Sequence, residues 1–328
     1  MRREPIACLG AGRMARGIAV AFAYAGHPVT MLDVKARSEE QFARAAGAAI
    51  AEVASTFAAL AGLGLIPPAA VETLLARVRV EREGGGGAAL AQSTVIFECV
   101  PEVLGLKRQV LARISPLLPL HSIVASTTST ILADDLAGAL EHPERFLNAH
   151  WLNPAYLVPL VEVSPGARTD AAVTQGLKTL LEGIGKIPVV CAGRAGYIVP
   201  RIQTLAMNEA ARMVEEGVAS AEDIDKAIKF GFGFRYANLG LLEFIDYGGG
   251  DILYYASRYL AGALGSERYA APSIIERNMH EGNIGLKAGR GFLDYSGIDI
   301  EAYRRDRLQA LVNMLRYLGL TRPPVLDA

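Results

Sequence analysis

The chain has 328 residues, enough for two domains with buried cores, and a formal net charge of −1. That balance excludes nucleic acid and an anionic membrane surface as its main partner, and no apolar run is read as reaching the ~18–20 residues of a membrane span. Cys8, Cys99 and Cys191 are odd in number and widely spaced. They fit neither a disulfide framework nor a metal site, and read as small buried apolar residues of a cytoplasmic protein.

Residues 6–9 are an apolar run that leads into Gly10-x-Gly12-x-x-Ala15. A helical pattern with Ile18 and Phe22 follows, then a second apolar run over 29–32 that ends on Asp33. This strand–turn–helix–strand order, with an acidic residue about twenty positions on, is the context a dinucleotide fingerprint requires. Gly10 allows the tight turn, Gly12 lets a pyrophosphate approach the backbone, and Ala15 still permits close helix–strand packing. The pyrophosphate would sit on the amides of a helix N-terminus, with Arg13 and Met14 in its first turn. Asp33 would bond the adenosine ribose hydroxyls and repel a 2′-phosphate, so NAD is expected over NADP, with Lys35 and Arg37 close by.

Residues 36–62 are Ala-rich and helical in pattern, and Pro67 and Pro68 separate them from a shorter helix over 69–77. Alternation over 77–80 suggests a strand. The run Gly84 to Gly87 has no strand before it and no lysine after it, so it reads as a flexible loop rather than a phosphate cradle. Residues 94–98 form a buried parallel strand running into a Pro101-Glu102 turn, and the helix after it carries Lys107. Another strand, 122–125, runs into Ser126-Thr127-Thr128-Ser129-Thr130. Hydroxyls at the C-terminal end of a parallel strand are placed to touch a ligand, although some would serve only to cap the next helix.

His150 ends an apolar run beside Asn153-Pro154, and Glu162 lies twelve residues later on the returning strand. A lone histidine is often structural; one hydrogen-bonded to a carboxylate has a fixed tautomer and a usable second nitrogen, which makes the pair a candidate general base. Residues 186–191 read as the last strand and 193–196 as a joint. Beyond it the chain reads as helices over 198–216, 221–230, 240–264, 274–281 and 300–318.

Taken in order, these motifs resemble the L-3-hydroxyacyl-CoA dehydrogenase family over nearly the whole chain. The resemblance is carried by Gly10 to Ala15, Pro101-Glu102-x4-Lys107, Ser129, His150 in His-Trp-Leu-Asn-Pro, Glu162 in Leu-Val-Glu-Val, and the ending Gly285-Leu-Lys287-Ala-Gly289-Arg-Gly291-Phe. The spacings of twenty-one residues from Ser129 to His150 and twelve on to Glu162 also match. It implies an α/β, Rossmann-like NAD-binding domain over 1–194 and an all-helical C-terminal domain over 195–328 that dimerises, with the active site in the cleft between them. By that resemblance His150 takes the proton of a 3-hydroxyl while hydride passes to the nicotinamide, and Glu162 orients His150. Ser129 bonds the reacting oxygen or the nicotinamide, and Glu102, Lys107, Asn153 and Lys287 contact the cofactor. The expected substrate is a short 3-hydroxyacyl-CoA such as 3-hydroxybutyryl-CoA.

Two departures bear on that expectation. The family carries an asparagine in G-[FY]-x-x-N-R, where this chain has Gly196-Tyr197-Ile198-Val199-Pro200-Arg201. Proline offers neither an amide side chain nor an N–H, so the contact is lost, taken by water, or moved to a residue such as Asn238. Gly231-Phe-Gly-Phe-Arg235-Tyr-Ala237 resembles the branch containing L-gulonate 3-dehydrogenase, lambda-crystallin and carnitine dehydrogenase. There Arg235 would bind a free carboxylate, although it reads equally as a helix-end residue. Residues 38–76, the insertion near which the family holds the coenzyme A phosphates, contain Arg44 as their one basic side chain. The alternatives are therefore a dehydrogenase of a free 3-hydroxy acid, or an NAD-binding protein with little turnover. Retention of Ser129, His150 and Glu162 together counts against the second.

Overall fold

A computed structural model describes residues 3–85 and 87–325. The apolar runs pair into one eight-stranded sheet of order β3-β2-β1-β4-β5-β6-β7-β8. Its strands are β1 Ile6–Leu9, β2 Val29–Asp33, β3 Val78–Arg82, β4 Val95–Glu98, β5 Ile123–Ser126, β6 Phe146–Trp151, β7 Leu160–Pro165 and β8 Ile187–Val190. The first six are parallel, β7 runs antiparallel to β6, and β8 is parallel to β7. Every residue of β1, β2 and β4 is buried, which explains why these strands read as unbroken apolar runs: helices cover both faces.

The helices of this part are α1 Arg13–Tyr24, α2 Glu39–Gly62, α3 Ala70–Leu75, α4 Gly87–Gln92, α5 Leu104–Ile114, α6 Ala133–Ala137 and α7 Ala171–Gly183. On one face α1 and α2 pack Ile18, Phe22, Val53 and Phe57 into a core with Phe97 and Trp151. On the other, Leu90 of α4 and Val110 and Ile114 of α5 cover Leu9 and Ile96. Ser38 caps α2, accepting from Gln41 N while the Gln41 side chain returns the bond to Ser38 N. By length and composition α2 alone among the described helices could span a membrane, contrary to the sequence expectation. Its many alanines raise its hydropathy, and it packs Ala49, Val53, Phe57 and Leu60 into the core. The expected four-glycine loop is instead a 3-10 turn, Glu83–Gly85, followed by α4; Gly86 lies outside the described residues.

The chain divides into two compact units, Met1–Ala206 and Met207–Ala328. The division falls within α8 Val199–Glu215, twelve residues beyond the boundary expected at 194. The second unit is helical: α9 Ala221–Ala227, a π-helical segment Ile228–Gly233, α10 Phe234–Tyr236, α11 Leu241–Gly248, α12 Gly250–Ala263, α13 Ser273–His280 and α14 Ile300–Tyr317. The single helix expected over 240–264 is two helices, because Gly249 adopts φ +111°, where a helix cannot continue and an L side chain is strained. The ending motif is a lock on α11. The buried carboxylate of Asp246 accepts from Phe292 N (2.9 Å) and Leu293 N (2.8 Å), and a Cβ at Gly285 or Gly291 would collide with Asp246.

Candidate active site

The glycine turn, β2 and the β4–α5 turn enclose a cavity of about 410 Å3 lined by Gly10, Gly12, Arg16, Asp33, Arg37 and Cys99, among others. Gly10 has φ +102°, and a Cβ there would press on the Cys99 carbonyl at 3.3 Å. A Cβ on Gly12 would meet nothing within 4 Å, so the backbone is open to a phosphate. Gly12 is the N-cap of α1 without a side-chain cap, which leaves the first-turn amides to a ligand. Asp33 closes the far end, accepting from Arg37 Nε at 2.6 Å and Lys35 N at 3.3 Å. Turn, open amides and carboxylate together fit a dinucleotide whose ribose hydroxyls meet Asp33.

The antiparallel β6–β7 pairing sets His150 directly opposite Glu162. Both are buried, and His150 Nδ1 lies 2.7 Å from Glu162 Oε2. An ionised carboxylate only accepts, so Nδ1 carries the proton and Nε2 is left with a free lone pair. Glu162 Oε1 accepts from Ile198 N (2.9 Å) and Val199 N (2.8 Å), the backbone leading into α8. The joint that follows β8 thus clamps the carboxylate. Tyr197, at φ 43°, stacks on His150 with ring centroids 5.5 Å apart. Its hydroxyl lies 2.9 Å from Asn148 Nδ2 and 3.3 Å from the Thr128 carbonyl, beside Ser129. Burial pushes the Tyr197 phenol far above its ordinary value, so it stays protonated.

Ser129 is exposed on the loop after β5. That loop is fastened by Glu102, whose Oε1 accepts from Thr128 Oγ1, from Ser129 N and Thr130 N (3.1 Å each) and from Thr130 Oγ1 (2.9 Å). Burial pushes the Glu102 carboxyl up, but the Thr128 bond, the Lys107 ammonium and Thr130 outweigh it, and it sits below the usual carboxylate value. The expectation that Lys107 touches the cofactor is corrected here. Lys107 is 1% exposed, and its ammonium is spent on both oxygens of Glu98 (2.9 Å each) and the Val100 carbonyl (3.2 Å). A glutamate at the end of an apolar strand with a lysine nine residues on was the signal for this pair.

The remaining expected residues are placed apart. Met14 packs its side chain against the core, leaving only its backbone amide for a ligand. Arg13 and Asn153 line a second cavity of about 230 Å3 with Arg16, Glu52 and Thr56, rather than the cavity at Asp33. Pro200 occupies the first turn of α8, where a missing N–H costs nothing. In the second unit Lys287 is exposed in a 3-10 turn, and Asn238 donates an N–H to Phe234 O at 3.3 Å. Arg235 is exposed, its guanidinium 4.7 Å from the Phe244 ring centroid and its Nε donating to Gly231 O at 3.0 Å. Its two terminal nitrogens remain for a carboxylate.

Residues 5–194 match the family model described as 3-hydroxyacyl-CoA dehydrogenase, NAD binding domain, and residues 196–295 match that of the same family's C-terminal domain. The chain is 31% identical over 314 residues to 5-formyl-3-hydroxy-2-methylpyridine 4-carboxylate 5-dehydrogenase of Mesorhizobium japonicum, covering 95% of this chain and 97% of that one. It is 30% identical to 3-hydroxybutyryl-CoA dehydrogenase of Bradyrhizobium diazoefficiens, covering 90% and 96%. The crystal structure of a 3-hydroxyacyl-CoA dehydrogenase from Archaeoglobus fulgidus superposes with a TM-score of 0.75 at 33% identity, covering 97% of this chain and all of that one. With the dinucleotide cavity and the His150–Glu162 pair, these similarities establish that the chain belongs to the 3-hydroxyacyl-CoA dehydrogenase family of NAD-dependent oxidoreductases acting on CH–OH groups.

Proposed function

We propose that this enzyme oxidises the hydroxyl of a small hydroxy acid that presents its own carboxylate, and that it does not require a coenzyme A thioester. NAD, when bound, supplies the acceptor for the hydride that leaves the carbinol carbon. The chain's own residues handle the proton. His150 Nε2 receives it from the hydroxyl as the C=O bond forms, Glu162 balances the charge gained by the imidazole, and the Ser129 hydroxyl bonds the reacting oxygen.

The observation that carries the choice of substrate is the charge of the α2–α3 helical pair. It holds Glu39, Glu40, Glu52 and Glu72 against Arg44 alone, and Arg44 is bound to Glu40 at 2.8 Å. A coenzyme A phosphate approaching this insertion would meet an excess of carboxylates on the helices themselves, the cations beside them being Arg16, paired with Glu52 at 3.1 Å, Arg82, paired with Glu39 at 2.9 Å, and Arg13 of α1. A carboxylate needs a single forked donor, which Arg235 offers. The pyridine-carboxylate dehydrogenase relative, aligned over almost its full length, supports the free carboxylate, although the group its name gives as oxidised is a formyl rather than a carbinol. The 3-hydroxybutyryl-CoA dehydrogenase relative supports a thioester substrate instead.

NADH formation with L-3-hydroxybutyryl-CoA, free L-3-hydroxybutyrate, L-gulonate, L-carnitine and pyridine carboxylates bearing a hydroxymethyl group separates the two. Turnover of a free acid, with KM raised at least about tenfold in Arg235→Gln, is expected. Turnover of the thioester alone overturns the proposal in favour of the second reading. We also read the chain as a homodimer formed through its second unit, where Tyr255 (61% exposed), Tyr259 (73%) and Ile252 (63%) of α12 leave apolar surface open. A monomeric mass in light scattering would refute that.

A further inference from the structure

Glu98 is completely buried and yet holds two separate parts of the site. Its oxygens accept from Val100 N at 2.7 Å, in the turn that lines the dinucleotide cavity. They also accept from Ser126 Oγ at 2.5 Å, where the Ser129 loop begins. Between them sits the Lys107 ammonium, 2.9 Å from each Glu98 oxygen and 3.5 Å from Glu102 Oε2. Glu102 therefore divides its labour: Oε1 holds the Ser129 loop and Oε2 faces the lysine.

We propose that Glu98 is a positioning residue of the active site, acting on Ser129 through Lys107 and Glu102. The catalytic consequence rests on the reading of Ser129 given above; the positional claim does not. A buried ammonium must keep a carboxylate partner. With Glu98 present, that partner is Glu98, and Glu102 stays extended towards the loop. Once Glu98 is neutral, the nearest remaining carboxylate is Glu102. Closing from 3.5 Å to the 2.9 Å that Lys107 now keeps with Glu98 draws Glu102 off its loop donors. Ser126 loses its charged acceptor in the same step, so the loop is released at both ends.

The test has two arms. In Glu98→Gln, hydrogen exchange of the Ser129 and Thr130 amides should accelerate at least about tenfold while the His150 and Glu162 amides, in β6 and β7, are unchanged. Equal acceleration everywhere, or none at 129 and 130, overturns the proposal. The second arm is a kinetic cycle. Glu98→Gln should lower kcat at least about tenfold in the parent enzyme and less than about twofold in Ser129→Ala, because the residue it positions is already gone. Additive losses overturn the coupling. A fully active Ser129→Ala would instead refute the catalytic reading of Ser129, with the exchange arm still deciding the positional claim. Should Glu98→Gln fail to fold, Glu98→Gln/Lys107→Gln removes the buried pair as a neutral unit; with no ammonium left to draw Glu102 away, exchange at 129 and 130 should stay within about threefold of the parent, and a tenfold acceleration there overturns the route through Lys107.

Discussion

Replacing Glu162 by glutamine keeps the shape of the side chain and removes its charge, and the structure dictates how the amide must sit. Oε1 accepts two backbone N–H bonds, from Ile198 at 2.9 Å and Val199 at 2.8 Å, and Oε2 faces His150 Nδ1 at 2.7 Å. Turning the NH2 towards Ile198 and Val199 would set donor against donor and forfeit two hydrogen bonds, about 1–3 kcal/mol together. The amide therefore keeps its oxygen there and points its NH2 at Nδ1, which must now accept. The imidazole proton moves to Nε2, and the nitrogen that should receive the substrate's proton is occupied. Loss of a general base costs roughly 10²–10⁴ in rate, or about 3–5 kcal/mol. The assay is kcat from NADH absorbance, with NADH affinity by fluorescence and the melting temperature as controls. A Glu162→Gln enzyme that keeps more than about a third of the parent kcat, with both controls unchanged, would refute the tautomer argument.

Three further outcomes follow from other parts of the structure. Asp33→Ala should weaken NADH about tenfold and, by freeing Arg37 from its 2.6 Å partner, narrow the preference over NADPH; fluorescence titration with both nucleotides reads the ratio, and an unchanged ratio would place the ribose elsewhere. Gly291→Ala drives a Cβ into the Asp246 carboxylate that holds Phe292 and Leu293, and a loss of about 2–4 kcal/mol in chemical denaturation is expected, whereas an unchanged midpoint would mean that Asp246 can move aside. Glu102 titrates below its usual value of 4.5 when folded, so its contribution is complete above that pH and is lost as pH falls through its folded value. Exchange at Ser129 and Thr130 should therefore accelerate only below about pH 4.5, and acceleration nearer neutrality would contradict the sign.

Sequence alone determined the features that depend on local backbone geometry or on register. The turn at Gly10 and Gly12, the carboxylate at the end of β2 and the His150–Glu162 pairing are each set within one supersecondary unit: a βαβ turn, or two adjoining strands. Tertiary structure decided what depends on burial and on partners from distant elements. The pattern Pro101-Glu102-x4-Lys107 looks the same whether the lysine reaches a cofactor or is buried. Only the fold shows Glu98 claiming its ammonium and Glu102 turned to the Ser129 loop. The stacking of Tyr197 on His150 and the clamp of Glu162 by Ile198 and Val199 join β6 and β7 to the chain 36 to 47 residues later, a distance periodicity does not cross. The break at Gly249 was hidden for the opposite reason: helical spacing continues through it, and only its positive φ divides α11 from α12. Ordered motifs therefore identified the family, while the wiring of the serine loop emerged only when side chains distant in sequence were brought into contact, where desolvation forces each charge to find a partner.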